Sequence, residues 1–218
     1  GSAGDDVLLG DTGESTNIDG GAGADNITGG SAAETISGGA GNDIINGGGG
    51  ADTINGNDGN DSITLGGGTE SVDAGAGNDT VTAAGNLTFG TTIVGGAGTD
   101  ILSTNAGVTA PNGSVVSGFS TLTLATAGTT DLDNFGNNTF TTVTSGALGA
   151  QVVQSVRSEV ITLDGIATGT LTVTMEDATG TADTVALAVS GDANLTQTVD
   201  MIVADVETIN LTSTDTDD

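Results

Sequence analysis

Residues Gly38–Thr64 read GGAGNDIIN, GGGGADTIN and GNDGNDSIT, three nine-residue units head to tail. Each approximates G-G-x-G-x-D-x-U-x, where U is a large aliphatic residue. The first six positions read as a turn and the last three as a short strand. Glycine permits positive φ and close backbone approach in the turn, so its carbonyls are expected to be free to point at a cation. The aspartate at position six adds charge. Calcium takes about six to eight hard oxygens in a forgiving geometry, whereas magnesium demands a strict octahedron, so the unit suits calcium. Strand side chains alternate, and only position eight is expected to face inward.

Two units then make one flattened coil of about 18 residues, and coils stack at about 4.8 Å. Turns on the same side recur every second unit, and a calcium would bridge coil to coil. The position-eight residues run Leu8, Ile18, Ile27, Ile36, Ile45, Ile54, Ile63, Val72 and Val81, in steps of nine after one extra residue. Two residues before each lies the position-six residue. These sort into one edge with Asp6, Asp25, Asp43, Asp61 and Asp79, and a second with Thr16, Glu34, Asp52 and Glu70. The second edge also carries Ala32 for a turn glycine and Leu65 at position one. Glutamate, a methylene longer, should fit a tight turn less well. An asymmetric roll is expected, with one full calcium ladder and one partial, against simple drift in a decaying repeat. Residues 83–94 break the step and read as a longer half-coil without a metal turn. GGAGTDILS at 95–103 resumes the pattern, and its Asp100 could extend the first ladder.

The 218 residues carry a net charge of −28, with Arg157 the one basic residue. Such a chain should repel nucleic acid and anionic membranes. Low hydrophobicity with high charge ordinarily reads as disorder, but here the acids are periodic, so disorder should be conditional on calcium. With 39 glycines and 2% aromatics the core is thin, and the absence of cysteine rules out a disulfide staple. The four phenylalanines, 89, 119, 135 and 140, are expected in the core. No membrane insertion is expected. Both ends, GSAGDD and TSTDTDD, read as cut, so a fragment is expected.

Beyond about residue 104, threonine and valine rise, as suits pleated, half-buried surfaces. Apolar–polar alternation recurs at 121–124, 160–163, 171–174, 185–189 and 208–211. SEVITL at 158–163 and VETINL at 206–211 look like copies of one coil. The class is all-β throughout: a β-roll over 1–103, then a Gly/Thr/Val-rich domain over 104–218 built as a solenoid or a sandwich. Gln151–Val160 could form a turn or two of helix. Glu176, Asp177 and Asp183 could hold an isolated calcium or form a solvated acidic loop, and Asp131 and Asp133 read as loop acids.

The in-phase units over 1–103 resemble the RTX repeat proteins. That resemblance implies a right-handed parallel β-roll, type I secretion and folding outside the cell on calcium. It implies metal ligation by Asp6, Asp25, Asp43, Asp52, Asp61, Asp79 and Asp100, with turn carbonyls at Gly21, Gly23, Gly39, Gly41, Gly48, Gly50, Gly59, Gly77, Gly96 and Gly98. Glu34 and Glu70 depart from the pattern at the same position; Asp183 belongs to the stretched unit. GGAGTDILS, ATGTADTVALAV and VETINLTSTDT together resemble the surface-layer proteins of stalked alphaproteobacteria, which implies self-association into a lattice on the cell surface, with cell-surface polysaccharide as a partner of other parts.

Acid–base catalysis usually recruits His, Lys, Tyr or shifted carboxylates, and the chain has no His, Lys, Tyr or Cys. Arg157 and Glu159 read as a surface ion pair. No enzymatic role is expected of this chain. A structural lattice module is favoured, with an adhesin or biofilm-matrix module, or the β-roll of a secreted enzyme, as the alternatives.

Overall fold

The computed structural model describes residues 1–83, 85, 87–105, 115–126, 128–131, 135, 138 and 140–145, and beyond these the backbone of six strands between 151 and 214. No α-helix occurs among them. Two compact units are formed. One comprises Gly1–Ser103, Ala110–Ser120 and Phe135–Asn138, and the other Thr104–Thr109, Thr121–Asn134 and Thr139–Asp218.

In the first unit short strands alternate between two parallel sheets. One holds β1 (Val7–Leu9), β3 (Asn26–Thr28), β5 (Ile44–Asn46), β7 (Ser62–Thr64), β9 (Thr80–Ala83) and β11 (Ile101–Thr104), in that order. The other holds β2 (Asn17–Ala22), β4 (Thr35–Ala40), β6 (Thr53–Asp58), β8 (Ser71–Asp73), β10 (Thr92–Val94) and β12 (Val115–Ser117). Every neighbour is therefore two strands away in sequence, which makes the unit a β-solenoid. Register is held by the aliphatic rows: Ile18 pairs Ile36, Ile36 pairs Ile54, and Ile54 pairs Val72 in one sheet, while Ile27 pairs Ile45 and Ile45 pairs Ile63 in the other. A one-residue slip would turn each row out to solvent. The five position-eight isoleucines, Ile27, Ile36, Ile45, Ile54 and Ile63, are fully buried.

Position eight is not the only inward position. Alternation continues beyond the strand, so position six, position eight and the following position one all face the interior. Asp43, Ile45 and Gly47 are one such buried triplet, and Asp61, Ile63 and Leu65 another. The acids thus lie in the roll, beside the aliphatic stack. Beyond Ala83, which ends β9, the described residues of the 83–94 segment form a strand at β10 alone. Its Leu87 is buried, but Phe89 is 73% exposed, against the expectation of a core role, because it sits on the bend that the extra residues create. Phe119, Phe135 and Phe140 are buried as expected. Asn138 caps Phe119 on both polar sides: its Oδ1 accepts the Phe119 N–H at 2.9 Å and its Nδ2 donates to the Phe119 carbonyl at 3.0 Å.

The second unit repeats the alternation. β13 (Thr121–Leu124), β15 (Thr142–Ser145), β17 (Val160–Asp164), β19 (Thr184–Ser190) and β21 (Thr208–Thr214) are neighbours in one sheet. β14 (Gly128–Asp131), β16 (Gln151–Val156), β18 (Thr170–Met175) and β20 (Thr198–Ile202) form another. All of these pairs are parallel, which is solenoid pairing and not that of an antiparallel sandwich. The described parts of the two similar hexads, 160–163 and 208–211, fall on β17 and β21, on either side of β19. Gln151–Val156 is a strand, not a helical turn, because its Val152-Val153 pair lies in register with Thr172 and Val173 of β18.

Candidate metal centre

The position-six residues stand at the mouth of each strand, where the turn delivers them to the interior. On the first edge they form a continuous ladder. Asp25 Oδ1 accepts the Asp6 N–H at 2.8 Å, Asp43 Oδ1 that of Asp25 at 2.8 Å, and Asp61 Oδ1 that of Asp43 at 2.8 Å. Asp79 and Asp100 extend it at 2.8 and 2.9 Å. Asp100 thus joins the ladder across the 21-residue step. The second edge has a shorter ladder. Asp52 Oδ1 accepts the Glu34 N–H at 2.9 Å, and Glu70 Oε2 accepts the Asp52 N–H at 3.0 Å. Thr16 and Thr91 occupy the flanking rungs. The glutamates are not excluded by their length, since Glu34 and Glu70 are 2% and 3% exposed; side-chain flexibility absorbs the extra methylene. The two-edge asymmetry lies in the number of carboxylates.

One carboxylate oxygen of each rung from Asp25 on is engaged, by the ladder itself or, at Glu34, by the Gly30 N–H at 3.0 Å. The other is buried without a hydrogen-bond partner at Asp25, Glu34, Asp43, Asp52, Asp61, Glu70, Asp79 and Asp100. Buried charges are normally paired or bound to metal, so a row of such oxygens fits a cation and fits little else. Among the described residues no three acidic side chains gather at one point, so a bound ion must draw on backbone carbonyls too. All ten predicted turn glycines have positive φ, eight on the first edge and Gly48 and Gly50 on the second. At two other turn glycines the carbonyl is engaged: that of Gly75 accepts the Ala97 N–H and that of Gly30 accepts the Gly49 N–H. Each keeps a second lone pair. Asp183, Glu176, Asp177, Asp133, Arg157 and Glu159 lie outside the described residues.

A ladder of asparagines, beside the first carboxylate ladder, was not anticipated from the sequence. Asn42 Oδ1 accepts the Asn60 N–H at 2.8 Å, Asn60 Oδ1 the Asn78 N–H at 2.7 Å, and Asn78 Oδ1 the Thr99 N–H at 2.9 Å. It runs in the opposite sense to the aspartate ladder, from later coil to earlier. The recurring Gly-Asn-Asp at 41–43, 59–61 and 77–79 was its signal.

The pattern of the RTX calcium-binding nonapeptide repeat (4 copies) matches residues 1–16, 14–45, 28–63, 46–81 and 90–108. These are RTX calcium-binding nonapeptide repeats. They cover both carboxylate ladders and, up to residue 108, leave out only 82–89. No curated protein matches the chain. RTX repeats are calcium-binding modules, and the cofactor of this chain is calcium, with several ions expected.

Burial raises the carboxyls of Asp43, Asp52, Glu70 and Asp79 above their ordinary range, helped by the neighbouring acids of each ladder and opposed by the backbone N–H bonds. Asp61, with Asp43 and Asp79 on either side, is pushed up from 3.8 to about 6. In the metal-free roll these groups hold protons that the unfolded chain has released. Their contribution to stability is therefore complete at acid pH and lost as pH rises through each raised pKa, which for Asp61 means lost through about 6. In chelator, lowering the pH from 7 to 4 should restore part of the β circular dichroism that the RTX region loses at neutrality; in calcium, the same change should weaken ion binding, because protons compete for the same oxygens. A chelated chain that gains no β structure with acid would show that the rungs are not desolvated.

The ladders also rank substitutions. Asp61 is an inner rung between two carboxylates, whereas Glu34 ends the short ladder against Thr16. Asp61→Ala removes an acceptor of a backbone N–H and a charge, a loss of about 1.5–3 kcal/mol, or roughly tenfold to a hundredfold in calcium affinity. Glu34→Ala should cost less. Equal losses in calorimetric titration would remove the distinction between the edges.

Proposed function

We propose that the chain is a calcium-folded structural module of a secreted protein, and that it serves in a self-assembling surface layer on the cell. The observation that carries the reading is the pair of ladders whose outer oxygens are buried and unpartnered in the absence of a cation. Asp6, Asp25, Asp43, Asp61, Asp79 and Asp100 would hold ions on the first edge, and Asp52, with Glu34 and Glu70, on the second, each completed by turn carbonyls. Bound calcium supplies positive charge between coils that would otherwise repel. The protein positions the oxygens and excludes water from them.

Lattice assembly is supported by what the roll leaves outside. The outward positions over β2 to β8 of one sheet include a small polar row, Asn17, Thr35, Thr53 and Ser71, which suits close tiling of repetitive faces. The high negative charge disfavours nucleic acid and makes added calcium a natural trigger for association. Electron microscopy of the purified chain tests this. Ordered sheets or crystals on adding millimolar calcium are expected. A chain that folds in calcium, stays monomeric and binds glycans saturably would replace the lattice with an adhesin.

A further inference from the structure

Where one nonapeptide passes to the next, two units of the RTX roll carry an asparagine–glycine step, Asn46–Gly47 and Asn55–Gly56. A third, Asn112–Gly113, lies outside the described residues. Such a step is chemically reactive. The glycine nitrogen can attack Cγ of the asparagine before it, because glycine has no Cβ to obstruct the approach and leaves the backbone free to turn. The bond from Cγ to the side-chain nitrogen breaks, ammonia leaves and a succinimide ring closes. Water then opens the ring at either carbonyl. The product is aspartate or, where the chain is rerouted through the side chain, isoaspartate.

The folded roll holds both steps back from this reaction. Asn46 ends β5 with its side chain exposed, while Gly47 is buried. The Gly47 N–H donates to the Thr64 carbonyl of the next coil at 3.0 Å. That nitrogen cannot lose its proton or swing onto Cγ while the coils stay together. Asn46 Oδ1 accepts the Gly48 N–H at 3.1 Å, which fixes the carboxamide as well. Asn55 lies within β6, in register with Ser37 of β4 on one side and Asp73 of β8 on the other, so strand pairing holds its backbone extended.

The rerouted product fits neither place. The Asn46 carbonyl accepts the Gly29 N–H at 2.8 Å. In isoaspartate that carbonyl becomes a pendant carboxylate and the path to Gly47 gains a carbon, so the bonds to Gly29 and Thr64 cannot both be kept. There is no slack to absorb the change. A Cβ on Gly47 would already stand 3.0 Å from Asp52 Oδ2 and from Ile54 Cδ1, and one on Gly56 would collide with the Ala74 carbonyl and Asp61 Oδ2. Plain aspartate is tolerated, since Asp19 and Asp73 stand at the same position of their units.

We infer that Asn46 and Asn55 are modification sites gated by calcium: the calcium-free chain deamidates there, and the isoaspartate that forms stops the roll from closing again when calcium returns. Loss of the ion thus becomes irreversible with time. The inference rests on calcium folding of the RTX roll, and one experiment separates the two.

The whole chain is held near neutral pH in chelator or in calcium and sampled over days. Peptide mass mapping reads the amide-to-acid gain at each step, and enzymatic methylation of the isoaspartyl carboxylate counts rerouted links. Deamidation at both steps should be roughly tenfold or more faster in chelator, because in calcium it must wait for a local opening. Calcium added back should restore less β circular dichroism as isoaspartate accumulates. Asn46→Thr combined with Asn55→Ser should keep nearly full recovery. Those are the residues of the adjacent coils, Thr28 and Thr64 beside Asn46 and Ser37 beside Asn55. Glutamine at both positions, which closes the ring far more slowly, is the second variant. Equal rates in chelator and calcium, full recovery by a deamidated parent chain, or equal loss of recovery in the variants overturns the inference while the calcium-dependent fold stands. A chain that keeps its β spectrum in chelator overturns both.

Discussion

Stripping calcium from the folded chain at pH 7 with a chelator is expected to replace its β circular dichroism with that of an unfolded chain, and millimolar calcium is expected to restore it. Eight buried carboxylates in the described region keep an oxygen without a partner. Leaving a buried ion uncompensated costs several kcal/mol even after relaxation, against a net stability of about 5–15 kcal/mol for a typical domain. The aliphatic stack offers little in reserve, since each nonapeptide contributes one large side chain to it. Protonation relieves part of the cost at acid pH but not at neutrality, where even Asp61, at about 6, is largely ionised. A β spectrum at pH 7 that chelator leaves unchanged would mean that the ladders need no ion.

Replacing Gly59 by valine should be the most damaging single substitution in the roll. Gly59 has φ of 140°, which a β-branched residue does not adopt without strain, at a cost of about 1–3 kcal/mol. Steric overlap adds to this: a Cβ there would collide with the carbonyl oxygen of Gly41 in the coil below. That neighbour is backbone and cannot move aside without parting the coils. The Gly59 N–H to Ala76 carbonyl bond at 2.8 Å would be strained with it. Gly59→Val should therefore raise the calcium concentration for folding by tenfold or more, or abolish folding. Gly49→Ala is the control, because Gly49 does not have a positive φ and its Cβ would meet only the Ser31 Cα, at 3.8 Å. A chain in which the two variants melt alike would show that the coils are not packed backbone on backbone.

Most of the roll could be read from residue order because the repeat is short and the physics local. A nine-residue step places Ile27, Ile36 and Ile45 on alternate sheets without knowledge of any distant contact, and the same step sorts the acids into two edges. What escaped the reading depends on the coil above or below. Position six faces inward because the alternation runs on through the turn. Glu34 and Glu70 fit because a flexible side chain takes up the extra methylene within its rung. The asparagine ladder exists only between coils, and Phe89 is exposed because the extra residues around it have no partner turn to pack against.

The order of residues alone settled that this chain alternates strand and glycine turn, that its acids recur in phase with its aliphatics, and that its cofactor is calcium, since all three follow from which residue stands at which step of nine. Only the tertiary structure decided which carboxylate oxygens are satisfied by backbone N–H groups and which are left for an ion, and which turn carbonyls are already engaged. Those are properties of one coil pressed on the next, and stacking distance, not periodicity, determines them.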